Sequence, residues 1–172
     1  LTFNGSKNKF KNDIPPIINK YIEKNDIKVF IDCTCGGANL TDKIVCKDIY
    51  GIDLSPSLIA LHLQAQQDFS QIPTDGSREM WDKGYSAWKV MKQILDTKPF
   101  ADFTIEDFDK ISIPLYQIGC IEWYASFSNR GFPGGYAKNS TTRNYYQEAW
   151  RNHKKQSETD NYKKINFCCG DY

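Results

Sequence analysis

Two short apolar runs, each ending in an acid, constrain this chain more than anything else in it. The first is Lys28-Val29-Phe30-Ile31-Asp32, followed by the small-residue turn Cys33-Thr34-Cys35-Gly36-Gly37-Ala38-Asn39-Leu40. The second is Ile49-Tyr50-Gly51-Ile52-Asp53, followed by Leu54-Ser55-Pro56. Ser55 suits a helix N-cap and Pro56 the first helical position. Strand, glycine turn, helix, strand, acid is the opening of a nucleotide-binding parallel sheet. The second acid falls about twenty residues past the first turn, where such sheets hold ribose hydroxyls. The fold class expected is α/β with a Rossmann-like sheet.

The flanking segments extend that unit. Thr2-Phe3-Asn4-Gly5-Ser6-Lys7 is a polar turn, and Asn12 or Asp13 can cap a helix with Pro15 and Pro16 in its first turn. Ile14, Ile17, Ile18, Tyr21 and Ile22 make its expected buried stripe, and Lys24-Asn25-Asp26 closes it. The turn after Asp32 leads into an expected helix over residues 38–46, with Leu40 and Ile44 inward. Ser55 opens the next helix, with Leu58, Ile59, Leu61, His62 and Ala65 on its inner face. On that face His62 reads as a core histidine with satisfied nitrogens rather than a ligand.

Past the turn at 71–76 the strand–helix alternation stops. Tyr85, Trp88, Met91 and Leu95 recur at helical spacing, and so do Leu115, Ile118, Glu122 and Tyr124 after Pro114. This is the pattern of an insertion between strands whose aromatics fill a core. Residues 127–138, Phe127-Ser128-Asn129-Arg130-Gly131-Phe132-Pro133-Gly134-Gly135-Tyr136-Ala137-Lys138, are a glycine-rich loop set with rings and bases. Two readings stand for it: a seat for a nucleic-acid strand, or a mobile surface loop. A helix over 142–155 follows, with Tyr146, Ala149, Trp150 and His153 on one face. Lys164 to Cys169 then returns to strand, with Asp171 behind it. The expected organisation is 1–69 for the first part of the core, 70–156 for a helical insertion and 157–172 for the returning strand.

At 172 residues the chain has room for one domain carrying such an insertion. Its 22 basic and 21 acidic side chains leave a net charge of +1, which excludes a wholly basic binding protein. The balance hides an asymmetry. Asp96, Asp102, Glu106, Asp107 and Asp109 make one stretch acidic, while Arg130, Lys138, Arg143, Arg151, Lys154 and Lys155 oppose only Glu148 in another. With no signal peptide and no membrane-length apolar run, a cytoplasmic, nucleoid-associated protein is expected. The six cysteines show no secreted-scaffold rhythm and are read as reduced, buried and inert. Cys33-x-Cys35 with Cys168-Cys169 fits no common zinc spacing, so no metal is expected. A start at Leu1 and a stop directly behind a strand-like run read as a piece of a longer protein.

Three acids at strand ends, Asp32, Asp53 and Asp171, suit a ligand rich in hydroxyls and amines better than a diphosphate. Gly36-Gly37-Ala38 is not G-x-G-x-x-G. A dinucleotide needs backbone donors and a helix amino end on its diphosphate, with no carboxylate crowding it. S-adenosylmethionine carries an ammonium, a sulfonium, ribose hydroxyls and an adenine, and no phosphate. It is the cofactor these residues favour over a nicotinamide dinucleotide.

The chain resembles the front part of a Dam-type adenine-specific DNA methyltransferase, especially the phage-borne branch. The matching segments are Phe3-Asn4-Gly5-Ser6-Lys7, Phe30 to Leu40, Gly51-Ile52-Asp53-Leu54-Ser55, Gly131 to Ala137 with the Tyr145 to Trp150 helix, and Cys169-Gly170-Asp171-Tyr172. The resemblance implies a Rossmann-like sheet that binds S-adenosylmethionine and an inserted helical target-recognition region on double-stranded DNA. It also implies methyl transfer to the exocyclic amino group of adenine. Phe3 and Lys7 then match the aromatic and lysine of the amino-terminal turn that touches the cofactor. Asp32 and Gly36 match the first cofactor loop, Asp53 the acid on the ribose, and Asp171 the acid near the adenine. Arg130, Lys138, Arg143 and Arg151 are candidate DNA-phosphate contacts by charge and position only.

Two departures mark the likeness. The family's first loop reads acid-Pro-Phe-x-Gly-x-Gly, where this chain has Asp32-Cys33-Thr34-Cys35-Gly36-Gly37-Ala38. The family's catalytic Asp-Pro-Pro-Tyr, whose oxygens orient the amine of a base swung out of the duplex, does not occur in this sequence. No catalytic residue is therefore assigned, and this polypeptide alone is expected to be inactive. The alternative expectation is a non-catalytic DNA-binding remnant or partner subunit, with a second chain supplying the rest.

Overall fold

The computed structural model describes residues 7–99, 102–126, 131–137 and 144–171. The architecture is α/β. Three parallel strands, β1 (Val29–Asp32), β2 (Asp48–Asp53) and β3 (Ile165–Cys169), form a small open sheet in the order β1-β2-β3. The two apolar runs are neighbours in register, Asp32 beside Gly51, and β3 returns on the far side of β2 with Cys169 beside Asp53. Alternation does the rest. Ile49, Ile165 and Phe167 are buried on one face, while Val29, Ile31 and Tyr50 are exposed on the other.

Helix α1 (Ile14–Lys24) precedes the sheet. Its prolines sit in the first turn as expected, but Asp13 makes no side-chain cap bond. The expected stripe is half right. Ile22 is buried and Ile14 and Ile18 pack against it, whereas Ile17 is 70% and Tyr21 62% exposed. The loop 38–46 corrects a second expectation, because only a 3-10 turn, Thr41–Lys43, forms there. Ala38, the first residue of that span, is left-handed at φ 55°, and Ile44 is already extended at φ −82° and ψ 135°, so the helical backbone ends after one turn. Leu40 and Ile44 still point inward, into a small cluster with Ile22.

Helix α2 (Pro56–Gln67) is capped as read, with the Leu58 amide donating to the Ser55 hydroxyl at 3.3 Å. Leu58, Ile59, Leu61, His62 and Ala65 are all buried. Apolar residues lie all round this helix because it is covered twice, by the sheet below and by helix α4 (Leu115–Tyr124) above. Helices α3 (Arg78–Leu95) and α5 (Tyr145–Ser157) pack around α4, and the one-turn α6 (Asp160–Lys163) leads into β3. One continuous core therefore runs from Ile49 and Phe167 of the sheet through Leu61 of α2 to Ile118, Trp81 and Tyr146 of the inserted helices. Each fully buried Leu or Ile there contributes about 2 kcal/mol. No helix of the described residues is long and apolar enough to cross a membrane.

The α2–α4 crossing depends on Gly119. A Cβ at that position would fall far inside van der Waals contact distance of the Ser57 carbonyl oxygen, a backbone atom held in the first turn of α2. Gly119→Ala is therefore expected to lower unfolding stability by about 2–3 kcal/mol in denaturant titration, as overpacking does at a rigid contact. A change within 0.5 kcal/mol, the range of ordinary surface substitutions, would show that the helices separate there without cost.

Candidate functional site

The carboxyl ends of the strands gather the acids. Asp32, the last residue of β1, is buried and its oxygens are engaged by the chain itself. Lys7 donates to Oδ1 at 2.8 Å and to the Thr34 carbonyl at 2.5 Å. The Thr34 amide also donates to Oδ1, at 3.1 Å, and the Thr41 hydroxyl to Oδ2, at 2.7 Å. Asp32 thus folds the loop behind it and anchors Lys7. It is a scaffold for the site, with a charge-assisted pair at its centre.

Asp53, at the end of β2, is arranged differently. The Gly36 amide donates to Oδ2 and the Ser55 amide to Oδ1, each at 3.0 Å. A carboxylate offers about four acceptor positions, so each oxygen retains capacity for a second donor. Asp53 is half-buried. Gly36 delivers its amide from left-handed backbone, which explains glycine at that position. Between the two acids lies Cys35, buried, its thiol pushed well above the ordinary range by burial and then by Asp53 and Asp32. It is no nucleophile.

Gly36 is held from below by a chain of buried rings. The Gly36 carbonyl can only accept, so His62 Nε2 carries the proton and donates to it at 2.7 Å. His62 Nδ1 then accepts from the Tyr162 hydroxyl at 2.6 Å. Tyr162 Oη accepts from His153 Nε2 at 2.8 Å, and His153 Nδ1 accepts from the Tyr124 hydroxyl at 2.5 Å. One direction of donation satisfies every member. Both histidines are fully buried and neutral; desolvation lowers His62 to about 3 and puts His153 well below its usual value. His62 is the satisfied core histidine the sequence suggested. Its partners, a hundred residues away in the case of Tyr162, carried no sequence signal.

On the other side of α2 a cavity of about 560 Å³ opens beside β3. Pro56, Ile59 and Leu63 of α2 form one wall, Phe103 and Phe108 of the insertion the other, and Cys169, Gly170 and Asp171 border it. A flat, mostly apolar slot with a carboxylate at its rim suits a planar heterocycle bearing an amino group. The phenylalanines come from the acidic stretch, and nothing in their spacing pointed here.

Lys7, Asp32, Gly36 and Asp53 are thus one connected group, with Asp171 at the cavity next to it. Arg151 is exposed on α5, its Nε donating to the Gln147 carbonyl of its own helix at 3.1 Å. Phe3, Arg130, Lys138 and Arg143 lie outside the described residues. Within the glycine-rich loop Phe132 is 3% exposed, packed on Trp81 with ring centroids 4.8 Å apart. Tyr136 donates its hydroxyl to the Gly76 carbonyl at 2.9 Å. Phe132 is thus part of the core, and Tyr136 packs half-buried against it. The cysteine expectation is corrected too: Cys35 and Cys120 are buried, but Cys33, Cys168 and Cys169 are exposed. All six are free thiols, and no metal-ligand cluster occurs among the described residues. No family model matches the chain, and no curated protein and no solved structure is similar to it.

The buried rings set an acid limb. Above pH 6.5 both histidines are neutral folded or unfolded. Below it the unfolded chain takes up protons that the folded chain refuses, so His62 costs about 2 kcal/mol of stability at pH 5 and His153 adds in the same direction. With only two histidines in the sequence, imidazole NMR reads this directly. Both rings are expected to stay neutral from pH 7.5 to 5. A ring titrating near 6.5 would show that the chain of donors is not formed.

Proposed function

We propose that this chain is the cofactor-binding portion of an adenine-specific DNA methyltransferase, holding S-adenosylmethionine at the carboxyl edge of its sheet. One observation carries the reading: the crevice is built of acceptors, with Asp53 retaining capacity on both oxygens and Asp171 at the rim of an aromatic slot. Ribose hydroxyls are donors that suit Asp53, and the adenine amino group suits Asp171. A diphosphate is poorly served. The segment after β1 runs into the 3-10 turn Thr41–Lys43, so no α-helix amino end faces the crevice there to hold one. The finer fold reading, a Rossmann-like methyltransferase sheet with an inserted target-recognition region, is proposed on the same grounds, as is work at the nucleoid on duplex DNA. Arg151, with Lys154 and Lys155 exposed on the same helix, supports phosphate contact.

What the bound donor supplies is an electrophilic methyl on sulfur. What this chain supplies is position: Asp53 for the sugar, Asp171 for the base, Lys7 at the anchored loop. The Asp-Pro-Pro-Tyr that would orient a target amine does not occur in this sequence, so the reading gives this polypeptide donor binding without methyl transfer. A second reading, that another polypeptide segment or a partner subunit completes the enzyme, is favoured by the sheet itself. Among the described residues no strand pairs with the outer edge of β1. Val29, Ile31 and Tyr50 beside it are exposed, although parallel sheets are ordinarily covered on both faces.

Calorimetry with S-adenosylhomocysteine tests the reading. The unaltered chain is expected to bind. Asp53→Asn, which keeps an acceptor for the loop but loses the charge, is expected to weaken binding at least about tenfold, since hydrogen bonds to a charged group are each worth roughly 1.5–3 kcal/mol. Unchanged affinity in that variant would remove Asp53 from the site. Incubation with labelled donor and adenine-containing duplex is expected to give no incorporation, and robust labelling would contradict the proposed division of labour.

A further inference from the structure

The cations expected to meet DNA all lie in the insertion, but the fold brings others beside them. A cleft of about 340 Å³ lies between the end of α5, the loop after β1 and the turn before α1. Each side contributes a lysine: Lys155 from α5, Lys43 from the 3-10 turn and Lys11 from the amino-terminal turn. All three residues are exposed. Asp42 is the one acid lining the cleft, 5% exposed, with Lys43 against its Oδ2 at 3.3 Å. Lys11 and Lys155 make no ion pair among the described residues. Three lysines against one acid leave the cleft with two uncompensated positive charges.

Local structure explains part of this. Lys155 sits in the last turn of α5, where a helix favours a cation, and Lys43 has its carboxylate. Neither account covers Lys11. Like charges around a small cleft repel, and an anion between them removes that cost. The cleft also has neighbours that bear on function. Gln156, buried, lines it and donates to the Gly37 carbonyl at 3.0 Å, so the cleft rests on the same loop whose Gly36 amide holds Asp53. Outward, Arg151 and Lys155 are four residues apart on α5 and share a helix face. Positive charge therefore runs without a break from the insertion to the loop after β1.

We propose that this cleft seats one phosphate of the duplex backbone, held between Lys11 and Lys155 with Lys43 at its wall. The inference rests on the duplex-DNA reading above and deepens it: two of the three cations belong to the sheet half of the chain, outside the insertion. Phosphate oxygens only accept, and the ammonium groups and the Asn152 amide at the cleft can donate to them. Such a contact fixes the register of the duplex on the protein and reads no base. The two ligands are thereby kept apart, the nucleoside at the carboxylates of the crevice and the phosphodiester at the lysines behind it. A free phosphate offers the same oxygens, so the test has an arm for it.

The full chain, Lys11→Gln/Lys155→Gln and Lys24→Gln/Lys47→Gln are compared for affinity to an adenine-containing duplex, by fluorescence anisotropy over a fourfold rise in salt. The first variant removes exposed, unpaired cations and keeps the Asp42–Lys43 pair, so the fold is expected to survive. The second is the charge-matched control, since Lys24 and Lys47 are exposed before β1 and β2, at the other end of the sheet. One shared phosphate contributes about 0.9 to the slope of log affinity against log salt. Lys11→Gln/Lys155→Gln is therefore expected to bind more weakly at low salt, with its deficit shrinking about 3.5-fold over the series. The control is expected to follow the unaltered chain. A deficit that shrinks about twelvefold would mean two separate phosphate contacts. No deficit, or the same one in the control, would mean no seat. Each of these overturns the inference. Inorganic phosphate, titrated by amide NMR, gives the remaining arm: if the first variant loses only that binding and keeps its duplex affinity, the cleft is a free-anion site and the inference fails. No duplex binding by the unaltered chain would overturn the DNA reading as well, and calorimetry with S-adenosylhomocysteine would still decide the donor reading by itself.

Discussion

Gly36 is where the fold and the site meet. Its amide donates to Asp53 across the crevice, and its carbonyl takes the end of the buried chain of donors that begins at Tyr124. Through that one residue the loop after β1, Asp53 at the end of β2, helix α2, the inserted helices α4 and α5 and the turn before β3 share a single hydrogen-bond network. Every member is neutral except Asp53, and every buried donor and acceptor along it has a partner. Such a network rigidifies a core when complete and is costly when one member is lost. The inserted helices are therefore built into the crevice at the carboxyl ends of the strands rather than hung beside it.

The same geometry selects the ligand class proposed here. Backbone amides and a helix dipole aimed at a sheet edge make a ready-made phosphate site. After β1 the left-handed residues Gly36 and Ala38 turn the chain into a compact loop, and the Gly36 amide is already given to a carboxylate. What remains at the edge is acceptor capacity and an aromatic slot. That complement fits a sulfonium nucleoside and disfavours a dinucleotide.

Much of this was legible in the residues. The acids at the ends of β1 and β2, the Ser55 cap, the insertion with its aromatic core and the returning strand all follow from period, punctuation and spacing. Three things did not. The 38–46 segment reads as helix by its Leu40 and Ile44 spacing, but a left-handed Ala38 at its start and an extended Ile44 near its end override the pattern, and left-handed alanine has no sequence signature. Ile17 and Tyr21 read as core because amphipathicity reports an apolar arc without reporting what covers it. The His62–Tyr162–His153 contacts and the Phe103–Phe108 wall join distant segments, and no local rule finds them. The glycine, base and ring composition of the loop likewise gave no sign that Phe132 and Tyr136 pack on Trp81 of α3.

The central claim is that the acceptors at this sheet edge hold a methyl-donor nucleoside. A crystal structure of the chain grown with S-adenosylhomocysteine tests it most directly. The account predicts the ribose hydroxyls on the Asp53 carboxylate and the adenine in the slot between Ile59, Phe103 and Asp171. Density for the nucleoside at any other place, or an Asp53 still bonded only to its two amides beside a bound ligand, would contradict it.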